Sequence, residues 1–218
     1  MRKRVSARPN DSKARGVPRL ALTHGQTLWL LSELGFREGV RASTFNHYLK
    51  SLRRLGVPFE IGKGQSDGRH DVTYEFEELM ELSVAMLLRV YLTLPDTIVT
   101  GLRDFRDDLR SIYRKAYFEL TLHQHPPARI SAPGGLRTTV NGLYLDLNIQ
   151  YSAGKMIKFG PPRALSPFEA VSIYAHAQAP ARSYLPLNVS TLAEMIVART
   201  RVLPKIPRGR APRSPVTT

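Results

Sequence analysis

A chain of 218 residues is long enough for one large domain or two small ones with proper cores. Its 32 lysines and arginines outnumber 18 acidic residues, and the net charge of +14 predicts attraction to polyanions, either nucleic acid or an anionic membrane surface. The absence of cysteine excludes a disulfide framework and thiolate metal sites, no apolar run of about 18 residues offers a spanning helix, and the basic N-terminus lacks the apolar segment of a signal peptide.

Residues 1–19 hold seven basic side chains and one acid, Asp11, with few apolar residues between them. Such a composition predicts a disordered arm, which either touches DNA or only solubilises the chain. Thr23 to Leu34 then reads as a first helix. Thr23 and Gln26 are its capping candidates, and Leu28, Trp29, Leu30, Leu31 and Leu34 form its apolar side. Trp29, the one tryptophan, is expected in the core.

A tight connection around Gly39 leads to a second helix. Ser43 or Thr44 is expected to cap it. Phe45, Tyr48, Leu49, Leu52 and Leu55 recur at three- and four-residue steps and make one apolar face. The other positions, Thr44, Asn46, His47, Lys50, Ser51, Arg53 and Arg54, include no acid. Asn pairs with adenine edges, Lys and Arg with guanine edges or phosphate, and Ser or Thr with either. Two helices joined this way commonly set the second in the DNA major groove. Gly56, before Val57-Pro58, marks the end of the helix.

Phe59 and Ile61 read as a short strand, Gly62 to Arg69 as a Gly-rich basic tip, and Val72 and Tyr74 as the return strand. This hairpin is a wing, with Lys63, Arg69 and His70 as candidates to meet phosphate or a minor groove. The G-x-x-x-x-G-K-[ST] spacing of a nucleotide-cradling loop is absent. Glu75 to Leu92 is apolar around most of its circumference and reads as the central core helix, broken at Leu94-Pro95-Asp96, where Asp96 is placed to cap the next helix. In that next helix Ile98, Leu102, Phe105, Leu109, Ile112 and Ala116 recur at steps of four, three, four, three and four. This heptad seam suits a dimer helix, with packing on the chain's own core as the alternative.

The run Glu33 to Tyr48, EL-GFRE-GVRAS-TFNHY, resembles the signature of MerR-type winged helix-turn-helix transcriptional regulators, with Glu33, Leu34, Gly39, Val40, Thr44, Phe45 and Tyr48 on matching positions. Tyr74 to Leu79 is similar to that family's aromatic, acidic and leucine start of the helix after the wing. The resemblance covers about residues 27–115. It implies a homodimer on a pseudo-palindromic site, helix two in the major groove and the wing on the backbone. Asn46 stands where the family usually has Arg, and the wing lacks a clear Arg before its aromatic. The family's metal-sensing cysteines are missing, so no thiolate sensor is expected.

His123-Gln124-His125-Pro126-Pro127 through Gly135 reads as a linker, with both histidines solvated and not metal-bound. Leu136 to Val140 is expected to pair with Leu143 to Tyr151 across Asn141-Gly142, a type I′ dipeptide. Leu143, Leu145, Leu147, Ile149 and Tyr151 alternate with polar residues, which sets Asp146 on the solvent side. A third strand, Met156 to Phe159, completes an antiparallel meander. Ser166-Pro167-Phe168-Glu169 is a helix start, and a last helix spans about Ser190 to Val202.

The expected fold class is mostly α, α+β. Its parts are a disordered basic arm (1–20), a winged helix DNA-binding domain (21–95), a dimerisation helix (96–122), a C-terminal α+β module of meander plus helices (123–203) and a disordered basic tail (204–218). The expected DNA-binding residues are Arg41, Ser43, Thr44, Asn46, His47, Lys50, Arg53, Arg54, Lys63 and Arg69. The expected dimer residues are Ile98, Leu102, Phe105, Leu109 and Ile112. No catalytic motif, metal site, cofactor or membrane partner is expected. The C-terminal module is left to bind an effector, complete the dimer or recruit a further protein partner. The expected role is a sequence-specific regulator of double-stranded DNA, acting as a homodimer in a bacterial cytoplasm. An architectural or accessory factor in recombination, replication or plasmid partition is the alternative. RNA binding is less favoured, because neither an aromatic RNP sheet motif nor a clamp loop is present.

Overall fold

The computed structural model describes residues 20–59, 72–122, 142–152, 155–176, 182–183 and 186–205. Most of the basic arm and basic tail, the wing tip with Lys63 and Arg69, the linker with His123 and His125, and the expected strand 136–140 lie outside the described residues. Among those described, the chain is mostly helical with small antiparallel sheets.

Strand β1 (Leu22–Thr23) leads into helix α1 (His24–Glu33). Thr23 is the N-cap, as expected: its Oγ1 accepts from the Gln26 amide at 3.4 Å, and Gln26 Oε1 accepts from the Thr23 amide at 3.0 Å. Leu30 and Leu31 are fully buried, and Trp29 packs half-buried against the core. Gly39, at φ +71°, turns the chain towards helix α2 (Ala42–Arg54). Neither Ser43 nor Thr44 caps α2. The extended residue is Arg41, whose carbonyl already accepts from the Phe45 amide at 2.9 Å, so both hydroxyl residues fall inside the first turn. Phe45, Leu49 and Leu52 bury the expected face. At the other end Gly56 takes φ +86°, and the Val57 amide reaches back to the Leu52 carbonyl at 2.9 Å. That left-handed position satisfies the last carbonyls of the helix.

Strand β2 (Thr73–Tyr74) pairs antiparallel with β1, Leu22 opposite Tyr74, a partner that sequence periodicity did not supply. Helix α3 (Phe76–Val90) is the central element. Leu79, Met80, Leu82, Val84, Met86 and Leu88 are fully buried, so water is excluded from nearly its whole circumference.

The single heptad helix expected from residue 96 is three pieces: α4 (Asp96–Val99), a 3₁₀ segment (Thr100–Phe105) and α5 (Arg106–Leu122). Pro95, not Asp96, stands at the cap position of α4. Asp96 instead binds the Arg89 guanidinium and accepts from Ser51 Oγ at 3.0 Å. Arg89 also lies over the Tyr48 ring, 4.3 Å from its centre. The inner side of α2 is thus latched to α3 and α4 through Tyr48 and Ser51.

The expected strand Leu143–Tyr151 is two strands in two sheets. Strand β3 (Tyr144–Asp146) lies between β6 (Arg163–Leu165) and β8 (Pro186–Asn188), and β4 (Ile149–Ser152) lies between β5 (Lys155–Phe159) and β7 (Arg182–Ser183), all antiparallel. The break is at Asn148, φ +45°, whose amide donates to Asp146 Oδ1 at 2.9 Å. Asp146 is therefore not on a solvent face. It is fully buried, and Oδ2 receives Arg163 Nη2 at 2.7 Å.

Helix α6 (Pro167–His176) opens with the expected Ser166–Glu169 box, and α7 (Val189–Thr200) is capped by Asn188. Helix α7 packs on α5, α1 and α3, so one apolar core runs from Leu22 to Ile196.

An ion pair crosses that core. Glu81 of α3, fully buried, receives Arg106 Nε at 3.0–3.1 Å and Nη2 at 2.7 Å, and the same Nη2 donates to the Gly56 carbonyl at 2.6 Å. Removing one partner of such a pair leaves a buried charge unmet. Glu81→Ala is expected to lower stability by about 3–5 kcal/mol in urea unfolding, and Glu81→Leu with Arg106→Met to recover most of that loss. Equal losses in the single and double variants would contradict a paired, desolvated charge.

Candidate nucleic-acid interface

With Phe45, Leu49 and Leu52 turned into the core, the opposite side of α2 is left to solvent. Ser43, His47, Lys50 and Arg54 are exposed at steps of four, three and four, a single stripe along the helix, and Arg41 is exposed at its start. No acidic residue lies in α2, and Arg53 and Arg54 sit in its last turn, where the helix dipole favours cations.

Three further expected contact residues sit apart from this stripe in burial. Thr44, Asn46 and Arg53 are half-buried. Asn46 Oδ1 lies 3.3 Å from His24 Nε2, at the start of α1. His24 Nδ1 lies 3.4 Å from the Tyr74 hydroxyl on β2, and the Arg53 charge acts on the same hydroxyl. Of the ten expected DNA-binding residues, seven lie on α2, Arg41 stands at its N-cap, and Lys63 and Arg69 lie outside the described residues.

His24 and Tyr74 are the polar residues that sequence reasoning missed here. They stand 22 and 28 residues to either side of Asn46, and no local spacing links the three. Burial lowers the His24 pKa from its ordinary 6.5. The Asn46 contact pulls it back up, while the charges of Arg53 and Lys50 lower it further. Burial also pushes the Tyr74 hydroxyl up to about 12, against the nearby Arg53 charge.

The five expected dimer residues are placed inside the chain's own packing. Leu102, Leu109 and Ile112 are buried, and Ile98 and Phe105 are half-buried against the same core. The large apolar side chains that do stand open lie elsewhere, with Phe168 81% and Val171 69% exposed on α6. No group of three or more His, Asp or Glu that could hold a metal ion occurs among the described residues, and no helix there is long and apolar enough to cross a membrane. Comparison with protein-family models, with curated proteins and with solved structures found no match to this chain.

The His24 environment sets a pH dependence. Because its pKa is lower in the folded than in the unfolded chain, the unfolded chain takes up the proton first as pH falls. Stability contributed by the neutral ring is therefore complete above about 6.5 and declines below it. Urea midpoints at pH 7.5 and 5.5 are expected to differ more in the wild type than in His24→Gln. An equal drop in both proteins would show that His24 is not the group involved.

Proposed function

We propose that this chain is a sequence-specific double-stranded DNA-binding regulator of MerR-like type. In this reading α1 and α2 form a helix-turn-helix and the exposed stripe of α2 enters the major groove. The observation that carries the reading is the acid-free stripe of Ser43, His47, Lys50 and Arg54, with Arg41 at its head, on a helix whose other side is locked into the core. Neutral donors beside cations suit base edges and phosphates together, whereas a purely solvating face has no need to exclude acids. The net charge of +14 supplies the long-range attraction that brings such a face to a polyanion.

Roles divide among the stripe and its neighbours. Ser43, Thr44, Asn46, His47 and Lys50 are assigned to base edges. Arg41, Arg53, Arg54 and, from the sequence, Lys63 and Arg69 are assigned to phosphate. The burial of Leu102, Leu109 and Ile112 in the chain's own core removes the heptad argument for a homodimer, so pairing of two chains on DNA rests on the family likeness alone.

Selection from a random duplex pool at about 150 mM salt is expected to yield a defined site, bound about 10³-fold or more tighter than bulk duplex. On that site Arg54→Ala is expected to weaken binding and to reduce the slope of log affinity against log salt by about one. A pool that returns no motif, with a steep salt slope, would leave backbone binding only and favour the architectural role.

A further inference from the structure

Asn46 carries the base-reading role most open to definition, because an amide reads different bases through its oxygen and its NH2 group. The bidentate pairing of Asn with adenine uses both: the oxygen accepts from N6–H and the NH2 donates to N7. In this chain the oxygen already has a neighbour. His24 Nε2 lies 3.3 Å from Asn46 Oδ1.

What His24 does there is fixed by the oxygen it faces. An amide oxygen can only accept, so Nε2 carries the proton and donates it to Asn46 Oδ1. In the neutral ring Nδ1 then has a free lone pair and accepts from the Tyr74 hydroxyl at 3.4 Å. The chain of donors runs Tyr74 to His24 and His24 to Asn46. Protonating His24 leaves the Nε2 donor in place, so the last link holds on both sides of its titration. The groups facing the ring are Tyr74 from β2 and Asn46, Lys50 and Arg53 from α2.

We propose that His24 is a positioning residue that holds the Asn46 amide with its oxygen towards α1 and its NH2 group outward. Position 46 then reads acceptors on a base edge and selects guanine over adenine. Guanine offers N7 and O6 in the major groove, both acceptors, whereas the adenine N6 amino group would meet a donor with a donor. This inference rests on α2 being the helix that contacts DNA, and it makes Tyr74, on a strand that touches no base in that docking, a determinant of sequence preference.

The test has two parts. In the free protein, ¹⁵N NMR of the imidazole is expected to report the neutral ring with hydrogen on Nε2 and none on Nδ1. The opposite tautomer would overturn the proposal whether or not DNA binds. Selection from a random duplex pool is then run for the wild type, Asn46→Ala, His24→Ala and Tyr74→Phe. Tyr74→Phe keeps the ring that packs 5.1 Å from Phe59 and removes only the hydroxyl, so it remains informative if His24→Ala fails to fold. The wild type is expected to select guanine at one position that Asn46→Ala leaves unselected. In Tyr74→Phe and His24→Ala the guanine-to-adenine ratio at that position should fall about fivefold or more, with the salt slope unchanged. Adenine at that position in the wild type, or undiminished guanine selection in both relay variants, would overturn the proposal while leaving DNA binding intact. A wild type that selects nothing would overturn the DNA reading and this inference with it.

Discussion

One buried guanidinium ties the structure together. Arg106 opens α5, pairs bidentately with Glu81 in the middle of α3, and donates to the Gly56 carbonyl just past the end of α2. Three elements are thereby fixed at one point. A buried pair of this kind is costly to form, since both ions leave water, and it gains its strength only when each lone pair and proton is met. Here the carboxylate takes two guanidinium nitrogens and the guanidinium takes a further backbone oxygen. Burial pushes the Glu81 pKa upward and Arg106 pulls it back, the expected opposition for an acid held in a core by its own counter-ion. The pair supplies direction more than net energy, because the fork of Arg106 meets Glu81 and the Gly56 carbonyl in one geometry.

The orientation of α2 follows from that anchor together with the latch of Tyr48, Arg89, Asp96 and Ser51 further up the helix. One contact grips the inner side of α2 and the other the chain just past its end, and Phe45, Leu49 and Leu52 are buried on the same helix. The outer side is thus carried on a fixed backbone. A helix held this way, with an exposed row of donors and cations, is preorganised for a polyanion, since little backbone entropy remains to be lost on binding. The relay from Tyr74 through His24 extends the same logic to a single amide on the edge of that row.

Much of this was legible in the sequence. The Thr23–Gln26 box, the apolar face of α2, the stop at Gly56 and the all-round apolar character of α3 are local signals, and each appears where its residues stand. The failures have a common cause, which is that periodicity says a face is covered without saying by what. The stripe from Ile98 to Ile112 satisfies a heptad equally well against its own core as against a second chain, and it lies on three short segments instead of one helix. Alternation from Leu143 to Tyr151 likewise reads as one strand, because the kink at Asn148 is held by Asp146, which is itself bound by Arg163, 17 residues beyond Asp146. At the candidate site the sequence supplied the α2 residues but not His24, which meets Asn46, or Tyr74, which meets His24, since the three come together only in the folded chain, where β1 and β2 pair.

The central claim is that the outer face of α2 is the surface that meets DNA. The most direct test is to titrate ¹⁵N-labelled protein with a duplex it selects and to map the amide shifts. The account predicts changes centred on Ser43, Asn46, His47, Lys50 and Arg54, with α3 and the β3–β6–β8 sheet nearly silent. Shifts concentrated on that sheet or on α7, with α2 unmoved at saturation, would contradict it.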